Sequence, residues 1–327
     1  MVNRREFLGL AAGAGAALAL APELLRAHQR SAGTLIQRVI PSSGETLPSI
    51  GLGRGSRPAD PAALKEVVNT LVDHGGRAVD MSAGGPAADD ASGAAARELG
   101  IQNRIFWSTP LVGAPPRPPD APPPPKADAA ALRAQIESKL ATFKVPTINL
   151  VMVGAYAAVH DPTYLGVLRE MKKERRIRYI GVHHLATPPN SPWPAFGELE
   201  TIMRNEPVDF VATDYNIIDR RVEQQILPLA QERKIAFMAH FTFDRGRLFT
   251  RATGTPVPDW AAAFDAKTWA QFFVKYVISH PAVTVARTGT TSAAHMLENI
   301  GGGIGRLPNE AMRKRMAELV DSLPVRR

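Results

Sequence analysis

The sequence predicts a single (β/α)₈ barrel with a β-hairpin in front of it and a capping helix behind it. Two observations carry this. Past a short linker, eight brief apolar runs alternate with amphipathic helical patterns; strands separated by helices imply a parallel sheet, and eight rounds close it. The length of 327 residues, 45% of them hydrophobic, suits one such domain with a large core.

Residues 1–33 stand outside this pattern. Asn3-Arg4-Arg5-Glu6-Phe7-Leu8-Gly9 leads into an uncharged, Ala/Gly-rich run from Leu8 to Ala21, the pattern of a twin-arginine export signal. The run is too short and too rich in glycine for a transmembrane helix, so no stable membrane insertion is expected once the signal is removed. The mature protein is then expected in the periplasm or beyond, an uncleaved N-terminal anchor being the alternative.

The barrel is assigned to residues 34–327. Thr34–Pro41 and Thr46–Gly51 flank Ser42-Ser43-Gly44-Glu45 and form the hairpin. The eight strand candidates are Ser49–Gly53, Arg77–Met81, Ile105–Thr109, Thr147–Val153, Arg178–His183, Val208–Asp214, Ile235–His240 and Val283–Arg287. Seven helical patterns lie between them: Ala62–His74, Asp90–Leu99, Ala127–Phe143, Thr163–Glu174, Ala195–Arg204, Arg220–Arg233 and Trp269–His280. Ser292–Ile300 supplies the eighth, and Asn309–Leu323 the C-terminal cap. From Pro110 to Pro125 the chain holds nine prolines, an extended stiff segment at the rim that reads equally as a lid or as an exposed insertion.

Composition removes several function classes. With no cysteine, thiolate metal sites, cysteine nucleophiles and disulfides are excluded. The net charge of +8 is dispersed along the helices, and no Lys/Arg run interleaves with aromatics, so nucleic acid is not an expected partner. A small-molecule ligand or substrate is.

Several motifs, in order, resemble the aldo/keto reductase family. They are the hairpin followed by Leu47-Pro48-Ser49-Ile50-Gly51-Leu52-Gly53, then Ala78-Val79-Asp80, Arg178-Tyr179-Ile180-Gly181-Val182, and Phe243-Asp244-Arg245-Gly246-Arg247-Leu248. The last is Gly289-Thr290-Thr291-Ser292 with His295-Met296-Leu297-Glu298-Asn299. The resemblance runs from about Leu35 to the C-terminus. It implies a barrel that binds NAD(P)H across its rim and reduces carbonyls with an Asp, Tyr, Lys and His tetrad. Of that tetrad only Asp80 is present. The Tyr position falls at Gly85, the Lys at Pro110 and the His at Gly154. In the family pattern the Tyr donates the proton, the Lys lowers its pKa and the His orients the carbonyl. Ordinary reductase chemistry is therefore not expected.

For the cofactor, the resemblance places His183 and His184 where an amide-reading Ser-Asn pair would sit, Ala212 at a Gln, and His240 at the stacking aromatic. The diphosphate side is kept better, through Arg245, Gly246, Leu248 and Ser292, and Glu298 and Asn299 match positions that touch adenine. No Lys or Arg lies among Thr290, Thr291 and Ser292 to clamp a 2′-phosphate, so little NADP selectivity is expected.

Asp80, His183, His184, Asp214, His240 and Arg287 all end barrel strands, where such folds do their chemistry. Adjacent strand residues face opposite ways, so only one of His183 and His184 should face the axis. Arg287 needs a carboxylate partner, Asp80 or Asp214. Two histidines and a carboxylate make a metal set conceivable, but no His-x-His or His-Glu-x-x-His spacing supports one, and no metal ligand is assigned. His160, beyond the fourth strand, is in reach of the same mouth but as a lone loop histidine is more simply read as solvated, and His74, His280 and His295 receive no role. Three readings stay open: a pseudo-enzyme or ligand-binding barrel, an NAD(P)H-dependent oxidoreductase with a histidine-based site at Asp80, His183, His184 and His240, and a metal- or His/Asp-dependent hydrolase or lyase.

Overall fold

Each apolar run becomes a strand because both its faces find apolar cover, one from the barrel interior and one from a helix. The computed structural model describes residues 33–54, 60–81, 86–116, 122, 124–184 and 195–325, of 54 and 86–89 the backbone alone. The segment expected to be an export signal, and Gly85, lie outside these residues. The chain divides after Thr34, and the barrel unit is Leu35–Arg327.

A two-stranded antiparallel hairpin, β1 (Gln37–Val39) and β2 (Thr46–Pro48), precedes eight parallel strands. These are β3 (Ile50–Arg54), β4 (Ala78–Asp80), β5 (Phe106–Leu111), β6 (Ile148–Gly154), β7 (Ile177–His183), β8 (Phe210–Asp214), β9 (Ala236–His240) and β10 (Val283–Thr290). They close in sequence order, with β10 pairing β3. The surrounding helices include α1 (Pro61–Asp73), α2 (Pro86–Glu98), α3 (Ala129–Phe143), α4 (Ala155–His160), α5 (Thr163–Lys173), α6 (Gly197–Asn205) and α7 (Ile226–Glu232). After them come α8 (Arg247–Ala252), α9 (Trp269–Ile278), α10 (Ala293–Gly302) and the capping helix α11 (Glu310–Ser322). Asp60, Asp128, Thr268, Ser292 and Asn309 cap α1, α3, α9, α10 and α11 through their side chains.

Strand alternation divides the core in two. Ala78, Phe106, Leu150, Met152, Tyr179, Phe210, Ala212, Ala236, Met238 and Val285 fill the interior, and the hairpin closes its N-terminal end with Ile40 and Leu47. The opposite strand faces, including Val79, Trp107, Val151, Ile180, Val211 and Phe237, pack on the helices. Among the described residues no helix is long and apolar enough to cross a membrane.

Three expectations need correction. The helical pattern over Arg220–Arg233 splits into a 3₁₀ turn, Arg221–Glu223, and α7, because Pro228 is tolerated only in the first turn of a helix. The third barrel strand continues through Pro110 to Leu111, so the proline-rich stretch begins beyond the barrel. Its described ends are tied down: Ala114 N–H donates to the Tyr164 hydroxyl (3.0 Å) and Ala127 N–H to the Asp161 carboxylate (2.7 Å). His160 ends a short helix, α4, with its ring 4.3 Å from that of Tyr156, rather than lying in a loop.

Candidate functional site

Two residues beyond the interior apolar layer, the same strand faces turn polar. By alternation from Ala78, Phe106, Leu150, Tyr179, Ala212, Met238 and Val285, the inward residues at the C-terminal mouth are Asp80, Ser108, Gly154, His183, Asp214, His240 and Arg287. A barrel interior filled with apolar side chains below and ionisable ones at the top is a site built by strand register.

Asp80 and Arg287 form its centre. Both are buried, and Arg287 Nη1 lies 2.6 Å from Asp80 Oδ2. The other carboxylate oxygen accepts a 2.7 Å hydrogen bond from Ser108 Oγ. Of the two carboxylates open to Arg287 in the sequence, Asp80 is thus the partner. Asp214, beside His240 in register, instead lies 3.9 Å from the half-exposed Arg245 guanidinium.

The arginine reaches from β10 to β4 across β3, which lies between them. It can do so because Gly53 has no side chain: a Cβ there would overlap Arg287 Cγ, Cδ and Nε. Thr242 donates to the Arg287 carbonyl oxygen (3.0 Å) and fixes that end of the strand.

His240 lies beside this pair, fully buried, with Nε2 3.5 Å from Asp80 Oδ2. That distance is too long for a strong hydrogen bond, and Nε2 makes none among the described residues. Burial pushes the His240 pKa well below the ordinary value, and Arg287 pushes the same way against the opposing pull of Asp80. Since Arg287 is nearer to the carboxylate, the contact is one between a neutral imidazole and an already neutralised acid.

His183 and His184 divide as the alternation requires. His183 faces inward, and its ring stands over the bare Gly154, whose Cβ, if present, would be 3.9 Å from Cε1 and Nε2. Gly154 and His183 are register partners on β6 and β7. Burial lowers the His183 pKa, with Asp80 opposing and Arg287 assisting. His184 turns outward: its Nε2 is 2.9 Å from the Ala195 carbonyl oxygen and its ring packs edge-on to Phe196. The structure therefore brings together Asp80, His183 and His240, and excludes His184. Among the described residues no three His, Asp or Glu side chains are placed to hold a metal ion.

The loop after β9 carries left-handed backbone at Phe241 (φ 52°), Asp244 (47°), Arg245 (55°) and Gly246 (90°). A phenylalanine held there is strained, and such strain marks functional loops. The Phe241 carbonyl oxygen accepts from Asn216 Nδ2 (3.1 Å), and its ring lies 3.6 Å from the Arg245 guanidinium carbon. Leu248 is buried in the core, so its side chain is structural. Ser292 caps the ten-residue α10 and is half-buried; Glu298 is half-buried and Asn299 buried. Ser108, Asn216 and Phe241 escaped the sequence reading. Strand parity with Asp80 would have found Ser108; nothing in the sequence shows a positive φ.

The residues fit a dinucleotide unevenly. An exposed guanidinium at Arg245, a left-handed glycine and a serine-capped helix start suit a diphosphate. At the other end, imidazole and Ala212 replace the amides expected to read a carboxamide.

A family model for the aldo/keto reductase family matches residues 49–317. An NADH-specific methylglyoxal reductase of Escherichia coli (strain K12) is 30% identical over 107 residues, 33% of this chain and 29% of that protein, so the match spans less than a third of the relative. Among solved structures, the holo form of an aldo-keto reductase from Bacillus halodurans superposes with a TM-score of 0.69 at 16% identity, covering 87% of this chain and 96% of that one. An aldo-keto reductase from Klebsiella pneumoniae in complex with NADPH gives 0.65 at 18% identity, covering 90% and 97%. At these identities the structural likeness speaks for the fold.

Proposed function

The chain belongs to the aldo/keto reductase family, and from that premise we propose that it binds a nicotinamide dinucleotide across its barrel mouth without performing tyrosine-driven carbonyl reduction. The observation that carries this is the inward rim layer. Asp80 is consumed by Arg287 and Ser108, and the two inward imidazoles are held neutral by burial. Pro110 and Gly154 stand where the family pattern has its Lys and His. A nicotinamide cofactor supplies hydride when bound; among the described residues, the inward strand-end layer offers no matching acid at neutral pH. The names of the relatives support the cofactor class, one being NADH-specific and one a complex with NADPH. The absence of a basic side chain at Thr290, Thr291 and Ser292 favours NADH. A folded protein exported by the twin-arginine route completes the reading, motivated by Arg4-Arg5 before Phe7-Leu8.

The test is titration of NADH with pure protein, followed by its fluorescence, together with turnover of simple aldehydes. Binding with no turnover above background is the expected result. Loss of the proton donor and its pKa-setting partner should each cost on the order of 10²–10⁴ in rate. Ordinary aldehyde turnover would refute the proposal. A second reading rests on the inward His183 over Gly154: an imidazole acting as proton donor. Its lowered pKa would confine such a reductase to pH below about 6.5, with activity falling as pH rises.

A further inference from the structure

A cavity of about 500 Å³ opens at the opposite end of the barrel from the rim, between the hairpin turn, the end of α5 and the starts of β6, β7 and β8. Its volume lies in the range of small-molecule sites. Three cations line it, Lys172, Arg175 and Arg178, together with one carboxylate, Asp209. Lys172 Nζ is 2.6 Å from Asp209, and Arg178 is 2.7 Å from Glu45, which also accepts from the Tyr179 hydroxyl (2.7 Å). Arg175 has no ion pair or side-chain hydrogen bond among the described residues, and neither has the Ser42 hydroxyl. The lining thus holds one uncompensated positive charge, a free guanidinium fork, a free hydroxyl and a lysine with protons to spare beyond its single carboxylate partner.

We propose that this basal cavity binds a small phosphate monoester, separate from the dinucleotide at the mouth. The guanidinium of Arg175, the ammonium of Lys172 and the hydroxyl of Ser42 all line the same hollow, a donor set that can serve the three terminal oxygens of a tetrahedral dianion; a planar carboxylate would leave donors unused. The remaining volume and the hydroxyls of Ser43 and Tyr179 at its edge suit a compact polar body. Active sites in this architecture lie at the C-terminal face, so a ligand here binds without entering the chemistry.

The probe is glycerol phosphate, titrated calorimetrically into the full protein at fixed ionic strength, with glycerol and chloride as controls. Saturable binding of glycerol phosphate alone is expected, weakened about tenfold or more by Arg175→Gln, the size of one lost charge-assisted hydrogen bond. Arg175→Gly separates binding from folding. Arg175 sits at φ 61°, where glycine is unstrained, so this variant should melt no lower than the parent and still lose the ligand. Arg245→Gln at the mouth should leave glycerol phosphate binding intact while weakening NADH. No saturable heat, retention within twofold in both Arg175 variants, or loss of glycerol phosphate binding in Arg245→Gln would each overturn the assignment.

Discussion

Gly53→Ala tests the central pair most sharply. The added methyl would occupy the path of the Arg287 stem, overlapping Cγ, Cδ and Nε. A surface arginine would step aside, but this one is 5% exposed and bonded to Asp80, itself 2% exposed. Two responses are open to the protein. If the strands shift and the ion pair survives, the cost is that of overpacking, about 1–3 kcal/mol. If Arg287 is expelled, Asp80 stays buried without the guanidinium that pairs with it, and a broken buried pair costs about 3–5 kcal/mol. Urea unfolding at pH 7 should therefore show a loss of about 3 kcal/mol at unchanged m-value. The double-mutant logic supplies the control. In an Asp80→Asn/Arg287→Met background the flexible thioether can yield, and Gly53→Ala should cost less than about 1 kcal/mol. Equal losses in the two backgrounds would show that the alanine clashes with something else. The same displacement also has an electrostatic signature. With the guanidinium gone and Asp80 retained, burial still holds the His240 pKa down but the charge that adds to it is lost, so its titration midpoint should rise in NMR spectra.

Other outcomes follow from the same geometry. His240 is depressed when folded and ordinary when unfolded, so the unfolded chain binds the extra proton as pH drops below 6.5. Stability should thus fall from pH 7 to pH 5, and His240→Phe should flatten that slope in urea midpoints. Lys275 is buried with Nζ donating to the Ile304 and Arg306 carbonyl oxygens, and burial pushes its pKa down to about 8 from 10.5. Between those values the unfolded chain holds more protons, so stability should climb with pH across the window, and Lys275→Met should abolish the climb while losing about 1–3 kcal/mol at pH 9 through two undonated carbonyls. Exchanging Arg4 and Arg5 together for lysine should keep the protein in the cytoplasm by cell fractionation; unchanged export would remove the twin-arginine argument.

Much of this molecule is legible in the sequence because its signals are local. The eight strands alternate with helices, and each strand's parity fixes which side chains face inward. That parity requires His183 and His184 to face opposite ways, and the structure turns His183 inward. Where local signals conflict, the reading slips. Amphipathic spacing runs through Arg220–Arg233, but Pro228 is tolerated only in a first turn, so the helix starts just before it. The apolar Ala155-Tyr156-Ala157-Ala158-Val159 has no polar alternation to announce a helix, yet it forms one against α5 and α6.

Partner choice is a different kind of question, since it depends on reach across the sheet. Arg287 had two carboxylates open to it, Asp80 and Asp214. Strand order alone puts β4 two strands from β10 on one side and β8 two strands away on the other. What breaks the tie is the position in between. On the β4 side that position is Gly53, and the arginine lies across it. On the β8 side it is the imidazole of His240, in register with Asp214. A side chain crosses an intervening strand only where that strand is bare, so the glycine of Leu52-Gly53 decides which acid is neutralised. By neutralising Asp80, it also decides that the imidazoles around that acid have no strong anion to hold a proton for.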